Sequence, residues 1–250
     1  MTMPAPWVED RPGFFRITVA ATNCYLVRAA DGVTLVDAGL PASRKVLDAL
    51  LQHLGLRAQD IDAVLLTHGH FDHVGVARSL HASGVPVRVH AADRRLARHP
   101  YRYRPAVARV PYLLTHPSGM PIIGRMAAAG ALAVRGVDAE ASVPPSGVMD
   151  VPGRPTVVHT PGHTDGHCAF FFRAHGVLLS GDALVTLDPY TGVRGPQIVA
   201  NAATKDAAQS LRSLDALEST GAAVVLPGHG DPWRTGVAAA VQRARIVGEH

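Results

Sequence analysis

Residues 67–73 read Thr-His-Gly-His-Phe-Asp-His, so three histidines and an aspartate fall within six positions as H-x-H-x-D-H. With 14 histidines in 250 residues, chance produces that pattern in roughly three such chains in a thousand. Ile61–Leu66, just before it, is a short apolar run that reads as a buried strand. Val74–Ala82, just after it, reads as a helix. On extended chain, residues two apart face the same side, so His68 and His70 can grip one ion. Asp72 and His73 stand where the chain turns into the next helix and can reach a second. Gly69 keeps side-chain bulk out of the turn. Imidazole together with carboxylate suits zinc, and also iron or manganese.

Four donors cannot fill two coordination shells, and the rest of the chain offers three more. His163 sits in His-Thr-Pro-Gly-His-Thr-Asp-Gly-His (159–167). Asp182 sits in Leu-Leu-Ser-Gly-Asp-Ala (178–183), and His229 in Val-Leu-Pro-Gly-His-Gly (225–230). Each adjoins glycine after an apolar run, which is where ligands from several loops would meet at one sheet edge. The order of elements supports such an edge. Strands are predicted at Phe14–Ala20, Cys24–Ala29 and Val33–Asp37. A helix comes next over Ala42–Leu54 with Ser43 as its cap, then a strand at Val85–Val89. Strands resume at Thr156–Thr160, Ala169–Phe172 and Val177–Ser180. A helix over Lys205–Ser219, a strand at Ala222–Leu226 and a helix over Thr235–Val247 close the chain. Short apolar strands ending in polar loops imply an α/β protein with sheets covered by helices.

Composition excludes other classes. Hydrophobic residues at 47% and charged residues at 18% exclude a disordered chain. No apolar run is long enough for a membrane span. Two cysteines far apart, Cys24 and Cys168, exclude a disulfide framework and a Cys-rich zinc site and read as core residues. A net charge of 24 − 20 = +4 is too small to argue for nucleic acid. The N-terminal residues carry no basic stretch followed by an apolar one, so a cytoplasmic protein is expected.

Taken together, these motifs resemble the metallo-β-lactamase superfamily. H-x-H-x-D-H, the later P-G-H-T, the G-D after a strand and the late P-G-H-G stand in family order, as does Leu35-Val36-Asp37-Ala38-Gly39, over positions 35 to 230. The resemblance implies a single domain over residues 1–250, an αββα sandwich of two mixed β-sheets flanked by helices. It also implies two divalent metal ions, with zinc expected and iron or manganese as alternatives. Carried over residue by residue, His68, His70 and His163 hold the first ion and Asp72, His73 and His229 the second. Asp182 bridges them, and Asp37 steadies the site from outside it. The implied activity is hydrolysis of an ester, thioester or lactone by a metal-bridging hydroxide, with Asp72 carrying the proton. Because β-lactam-opening members typically lack a bridging Asp, Asp182 resembles the glyoxalase II and lactonase branches. Two departures stand against carrying over either substrate. Only about twenty residues come after His229, where glyoxalase II has a helical domain, and Val185 stands where the N-acyl homoserine lactonases place Tyr. The alternatives are an iron-dependent persulfide dioxygenase-like oxidoreductase of the same superfamily and, less favoured, a nuclease.

The segment at about 91–136 breaks the rhythm and reads as an insertion of short helices and loops. Six arginines stand between Arg94 and Arg109. Pro100, Pro105, Pro111, Pro117 and Pro121 cut it into short pieces. Its apolar part, about 101–132, is expected to form a lid or wall over the site, or else a dimer contact. The arginines read as a solvated face or as an anion anchor beside the site. Candidate substrate contacts are Tyr190, Tyr112, Leu113 and Met126. The expected partner is a small molecule with an apolar portion, with no nucleic acid or membrane and with a homodimer open. His159 and His167 are expected to be solvent-exposed, and His53, His81, His90, His99, His116 and His175 to lie on the surface.

Overall fold

The computed structural model describes residues 5–250, so the first four residues of the N-terminal stretch lie outside it. Seven strands form the first sheet: β1 (Trp7–Arg11), β2 (Phe14–Val19), β3 (Thr22–Ala29), β4 (Gly32–Val36), β5 (Ala63–Leu65), β6 (Val87–His90) and β7 (Glu140–Val143). They lie side by side in chain order. β1 to β4 run antiparallel, joined by tight turns. β4 to β7 run parallel, so each step needs a crossover. The crossovers carry α1 (Ser43–His53), α2 (Ala77–Ala82) and α3 (Arg94–Arg98).

The second sheet holds β8 (Ser146–Val148), β9 (Thr156–His159), β10 (Cys168–Phe172), β11 (Val177–Gly181) and β14 (Val224–Pro227), in the order β14-β11-β10-β9-β8. β11 and β14 pair in parallel and the remainder antiparallel. β12 (Val185–Leu187) and β13 (Arg194–Gln197) form a small ribbon. α4 (Arg109–Thr115) and α5 (Met120–Met126) lie in the insertion. α6 (Ala207–Glu218) and α7 (Val237–Val247) cover the second sheet.

Period-2 alternation sorts the core into layers. Phe14, Tyr25, Val27, Val36 and Leu65 of the first sheet meet Phe170, Phe172, Leu179 and Leu226 of the second between the sheets. The intervening residues Phe15, Ile17, Leu26, Leu35 and Val64 face α1 and α2. Phe171, Leu178 and Val225 face α6 and α7. The central strands β2 to β5, β10, β11 and β14 are therefore apolar on both faces, and the layers run helix, sheet, sheet, helix. Cys24 and Cys168 are buried within this core. Among the described residues no helix is long and apolar enough to cross a membrane.

Several boundaries differ from the sequence reading. Ser43 is the first helical residue, not the cap; its hydroxyl accepts the Leu40 amide at 3.1 Å. α2 starts at Ala77 because Gly75 and Val76 donate to the Gly39 and Ala38 carbonyls at 2.7 and 3.1 Å, holding 74–76 against the end of β4. β1, β7, β8, β12 and β13 carry too few alternating apolar residues to be read from sequence.

The insertion breaks into α3, α4, α5 and a loose turn over 127–131. Ile122 and Met126 pack with Leu40, Ala131 and Leu187. Tyr112, Leu113 and Ile123 pack against Val185, Tyr190 and Val199. The segment is thereby fixed beside the loops that leave the C-terminal ends of β5, β11 and β14.

Candidate metal centre

All seven donors named from the sequence come together at one edge of the two sheets. Ligand-capable atoms of His68, His70 and His163 lie within 4.8 Å of one another, as do those of His68, His73 and Asp182 and those of Asp72, His73 and His229. Asp182 stands at the middle. Its carboxylate oxygens lie 3.5 Å from His73 Nε2, 3.5 Å from His163 Nε2 and 3.3 Å from His229 Nε2. Asp72 Oδ2 is 3.3 Å from His229 Nε2. All seven residues are buried.

Hydrogen bonds behind the rings fix how each imidazole faces the centre. Asp37, at the end of β4, takes a left-handed backbone with φ of 59°, a conformation Asp tolerates better than most residues. Its carboxylate accepts from His73 Nδ1 at 2.8 Å, from the Thr67 amide at 2.8 Å and from the Thr67 hydroxyl at 2.9 Å. Since the Thr67 hydroxyl donates to Asp37, it accepts from His68 Nδ1 at 3.0 Å. His163 Nδ1 donates likewise to the Thr204 hydroxyl at 3.2 Å, which passes its own proton to the Val199 carbonyl at 2.7 Å. His229 Nδ1 donates to the Ala21 carbonyl at 2.9 Å. These partners assign a proton to each Nδ1 and turn Nε2 of His68, His73, His163 and His229 toward the centre. His70 instead brings Nδ1 to 2.9 Å from His163 Nε2.

The donor set fits divalent cations. His68 Nε2, His70 Nε2, His73 Nε2 and Asp182 Oδ1 are buried without any hydrogen-bond partner, a costly condition that a bound cation relieves. Burial holds His68 and His70 well below the ordinary imidazole value, and His163 is lowered to about 4, so these three are neutral and ready to ligate. Burial also opposes charge on His73 and His229, but the neighbouring carboxylates outweigh it. Asp182, Asp37 and Asp72 raise His73 well above its usual value, and Asp182 and Asp72 raise His229 to about 10. Without a cation, those two rings hold protons that balance the carboxylates. A cation must displace them, so affinity is expected to rise with pH. At pH 7 loading should release protons, approaching two per chain, measurable by calorimetry in buffers of different ionisation enthalpy. Heat independent of the buffer would contradict this.

Close backbone approach completes the site. A Cβ on Gly228 would collide with Asp182 Oδ1 and come within 2.9 Å of His73 Cε1. Gly228→Ala is therefore expected to weaken metal affinity at least ~10-fold in a chelator competition, comparable to losing an orienting partner. Unchanged affinity would contradict the geometry. β3 fixes the same loop from the far side. Asn23 Nδ2 donates to the Pro227 and Gly230 carbonyls at 2.9 and 2.8 Å, and the Tyr25 hydroxyl donates to the Pro227 carbonyl at 2.8 Å.

Two residues of this assembly were not read from the sequence. His167, expected at the surface, is fully buried. Its Nδ1 pairs with the Thr160 hydroxyl at 2.7 Å, and its Nε2 accepts the Asp182 amide at 3.0 Å. Burial drives its pKa well down, which keeps that nitrogen a bare acceptor. The signal available was its place immediately before the apolar strand β10. Asp93, after β6, accepts from the Gly69 and Gly166 amides and the Thr164 hydroxyl at 2.8–2.9 Å, tying the two histidine loops together. His53, His81, His99 and His175 are exposed as expected, His116 is half-buried, and His90 and His159 are half-buried and stacked at 4.6 Å.

Of the substrate-contact candidates, Met126 and Tyr190 border the narrow pocket that contains Asp72, Asp182 and His229. Tyr112 and Leu113 pack behind it. Tyr103 also borders the pocket, its ring stacked on His70 at 3.8 Å with the Arg109 guanidinium 4.3 Å away.

A family model described as the metallo-beta-lactamase superfamily matches residues 17–229. The chain is 29% identical over 243 residues to the probable metallo-hydrolase YflN of Bacillus subtilis (strain 168), covering 90% of this chain and 86% of that protein. Among solved structures, it is similar to the metallo-beta-lactamase family protein TTHA1429 from Thermus thermophilus. That match has 29% identity and a TM-score of 0.68, over 95% of this chain and 78% of the other. TTHA1623, solved in a di-iron-bound form, is 31% identical with a TM-score of 0.58, over 87% of this chain and 92% of that one.

Proposed function

On the premise that this chain belongs to the metallo-beta-lactamase superfamily, we propose that it is a dinuclear metal-dependent hydrolase of an ester, thioester or lactone. The observation that carries the reading is Asp182, whose carboxylate lies 3.3–3.5 Å from imidazole nitrogens of both donor groups. One ligand set alone would serve a single ion; the further set of Asp72, His73 and His229 favours two. Zinc is the proposed metal, with iron the alternative suggested by the di-iron relative.

His68, His70 and His163 would hold one cation and Asp72, His73 and His229 the other, with Asp182 shared. Bound there, the cations supply Lewis acidity toward a carbonyl oxygen and lower the pKa of water. Everything else falls to the chain. Asp37, Thr67 and Thr204 hold the rings in their ligating tautomers. His167 fixes the backbone of Asp182. Asp72, in the pocket and 3.3 Å from His229 Nε2, would take a proton from the attacking water and return it to the leaving group. Tyr190, Met126 and Val199 give the pocket its apolar border. No Ser, Cys or Lys nucleophile is required.

The test is a panel of thioesters, lactones, aryl esters, phosphodiesters and β-lactams, run with metal occupancy measured alongside. Turnover of an ester, thioester or lactone by protein carrying two ions per chain supports the proposal. β-Lactams are expected to be poor substrates because Asp182 would stand between the two cations. A kcat/KM for penicillins or carbapenems in the range of about 10⁴–10⁸ M⁻¹s⁻¹ would reverse that assignment. One iron per chain with persulfide oxidation and no ester turnover would replace it with the dioxygenase.

A further inference from the structure

Resting on the hydrolase reading, we propose that the cleft outside His70 and His163 binds an oxyanion group of the substrate, a carboxylate or a phosphate borne by an otherwise apolar acyl compound. The cleft is a cavity of about 370 Å³ lined by Arg95, Arg102, Arg104 and Lys205, with Tyr103, His70 and His163 at its inner end. That volume suits part of a small molecule. The same Tyr103, His70 and His163 also border the pocket of Asp72, Asp182 and His229, so cleft and candidate metal centre share a wall.

The charges within the cleft do not cancel. Asp93 is buried and its oxygens are taken by the Gly69 and Gly166 amides and the Thr164 hydroxyl. Asp165 is paired with Lys205 at 2.6 Å. Nearby Arg94, outside the lining, pairs with Asp138 at 3.3 Å. Among the described residues Arg95, Arg102 and Arg104 have no carboxylate partner, although all three border one cavity. All three are exposed at the border of that one cavity, where a planar guanidinium fork can meet an oxyanion. Their field also draws anions toward the centre.

Polarity divides at Tyr103. Its ring is held between His70 at 3.8 Å and the Arg109 guanidinium at 4.3 Å. Inside it the pocket walls include Met126, Pro189, Val199 and Ala203; outside it stand the three free guanidiniums. A compound whose carbonyl lies at the donors thus has an apolar wall on one side and a cationic one on the other.

Matched substrates and one variant test this. The first pair is 4-nitrophenyl butyrate and mono-4-nitrophenyl glutarate, which places a carboxylate on the acyl side. The second is S-acetylpantetheine and its 4′-phosphate, which places a phosphate on the leaving side. Wild type is expected to favour the anionic member of at least one pair by ~10-fold or more in kcat/KM, mainly through KM, and the favoured pair identifies the source of the charge. Arg102→Ala with Arg104→Ala should reduce that ratio to near unity, and raised salt should shrink it in wild type. Binding of S-methylpantetheine and its 4′-phosphate, thioethers that cannot turn over, and of glutarate is measured by calorimetry as an activity-independent readout. Tighter binding of the phosphate or of glutarate, lost in the double variant while metal content and circular dichroism hold, supports the cleft. Absence of any anionic preference in turnover and binding overturns it, as does a preference that survives the double substitution. If the fully metal-loaded protein hydrolyses no ester or thioester, the hydrolase reading falls and the binding arm still decides the cleft.

Discussion

Asp182→Asn, in protein reconstituted with excess metal, is expected to lower kcat/KM on the best ester or thioester by at least ~10³-fold. This is the scale for removing a preorganised charged group from a buried reacting centre. The substitution preserves shape and removes the charge shared among His73, His163 and His229. The count of bound ions should fall below two per chain, because the Asp182 carboxylate lies beside imidazoles of both donor groups. Metal analysis beside steady-state kinetics checks both parts. Two ions retained at wild-type affinity, with kcat/KM within a few-fold, would remove Asp182 from its central place and the two-ion reading with it. The fold should survive, since Asp182 lies at the end of β11 and contributes nothing to the apolar layers.

Chelation supplies the other large effect. Stripping metal is expected to take ester or thioester turnover to the uncatalysed background while far-ultraviolet circular dichroism stays close to that of the loaded protein. The reason lies in the layers. Phe14, Phe170, Phe172, Leu26 and Leu35 are fully buried and pack without any metal-binding side chain. At roughly 25 cal/mol per Å² of buried apolar surface, those layers outweigh the ions as a source of folding free energy, unlike small domains that unfold without metal. Melting temperature should still drop, because ligands that bind only the native state stabilise it by mass action. Adding back zinc or iron singly, and reading activity against ion content, identifies the working metal. Full activity in protein shown to be metal-free would reject the hydrolase mechanism; complete loss of the circular dichroism signal would reject the account of the core.

The seven clustered donors were legible because four fall at the spacing H-x-H-x-D-H after an apolar run, and the other three, His163, Asp182 and His229, each follow a glycine close to an apolar run. That signature arises where a strand ends at a sheet edge and a side chain must face inward without crowding. The long strands were legible for a related reason: β2, β3, β10 and β11 are apolar on both faces, being covered by a helix layer on one side and a sheet on the other. What sequence could not carry was partnership across distance. His167 looked like one more polar residue in a turn, and only the fold brings the Asp182 amide to its ring. Asp93 lies 24 residues from Gly69 and 73 from Gly166, and no local pattern announces that it joins them. The early start expected for α2 has the same origin, since backbone bonds from Gly75 and Val76 to the end of β4 outcompete the helix. Nor does sequence alone separate Arg94, which pairs with Asp138, from Arg95, Arg102 and Arg104, which line one cavity.

The bond from His229 to Ala21 joins residues 208 apart, and Asn23 and Tyr25 reach the same loop. This fixes when the centre can come into being during synthesis. On a ribosome, the loop bearing His68, His70, Asp72 and His73 emerges long before β14, and its imidazoles must wait without their final neighbours. The first sheet can pair locally in that interval, but β3 has no loop to hold until residues 227–230 have left the exit tunnel. Ion capture by the complete centre must therefore wait for β14, and until that strand emerges the nascent chain cannot trap metal in its native arrangement.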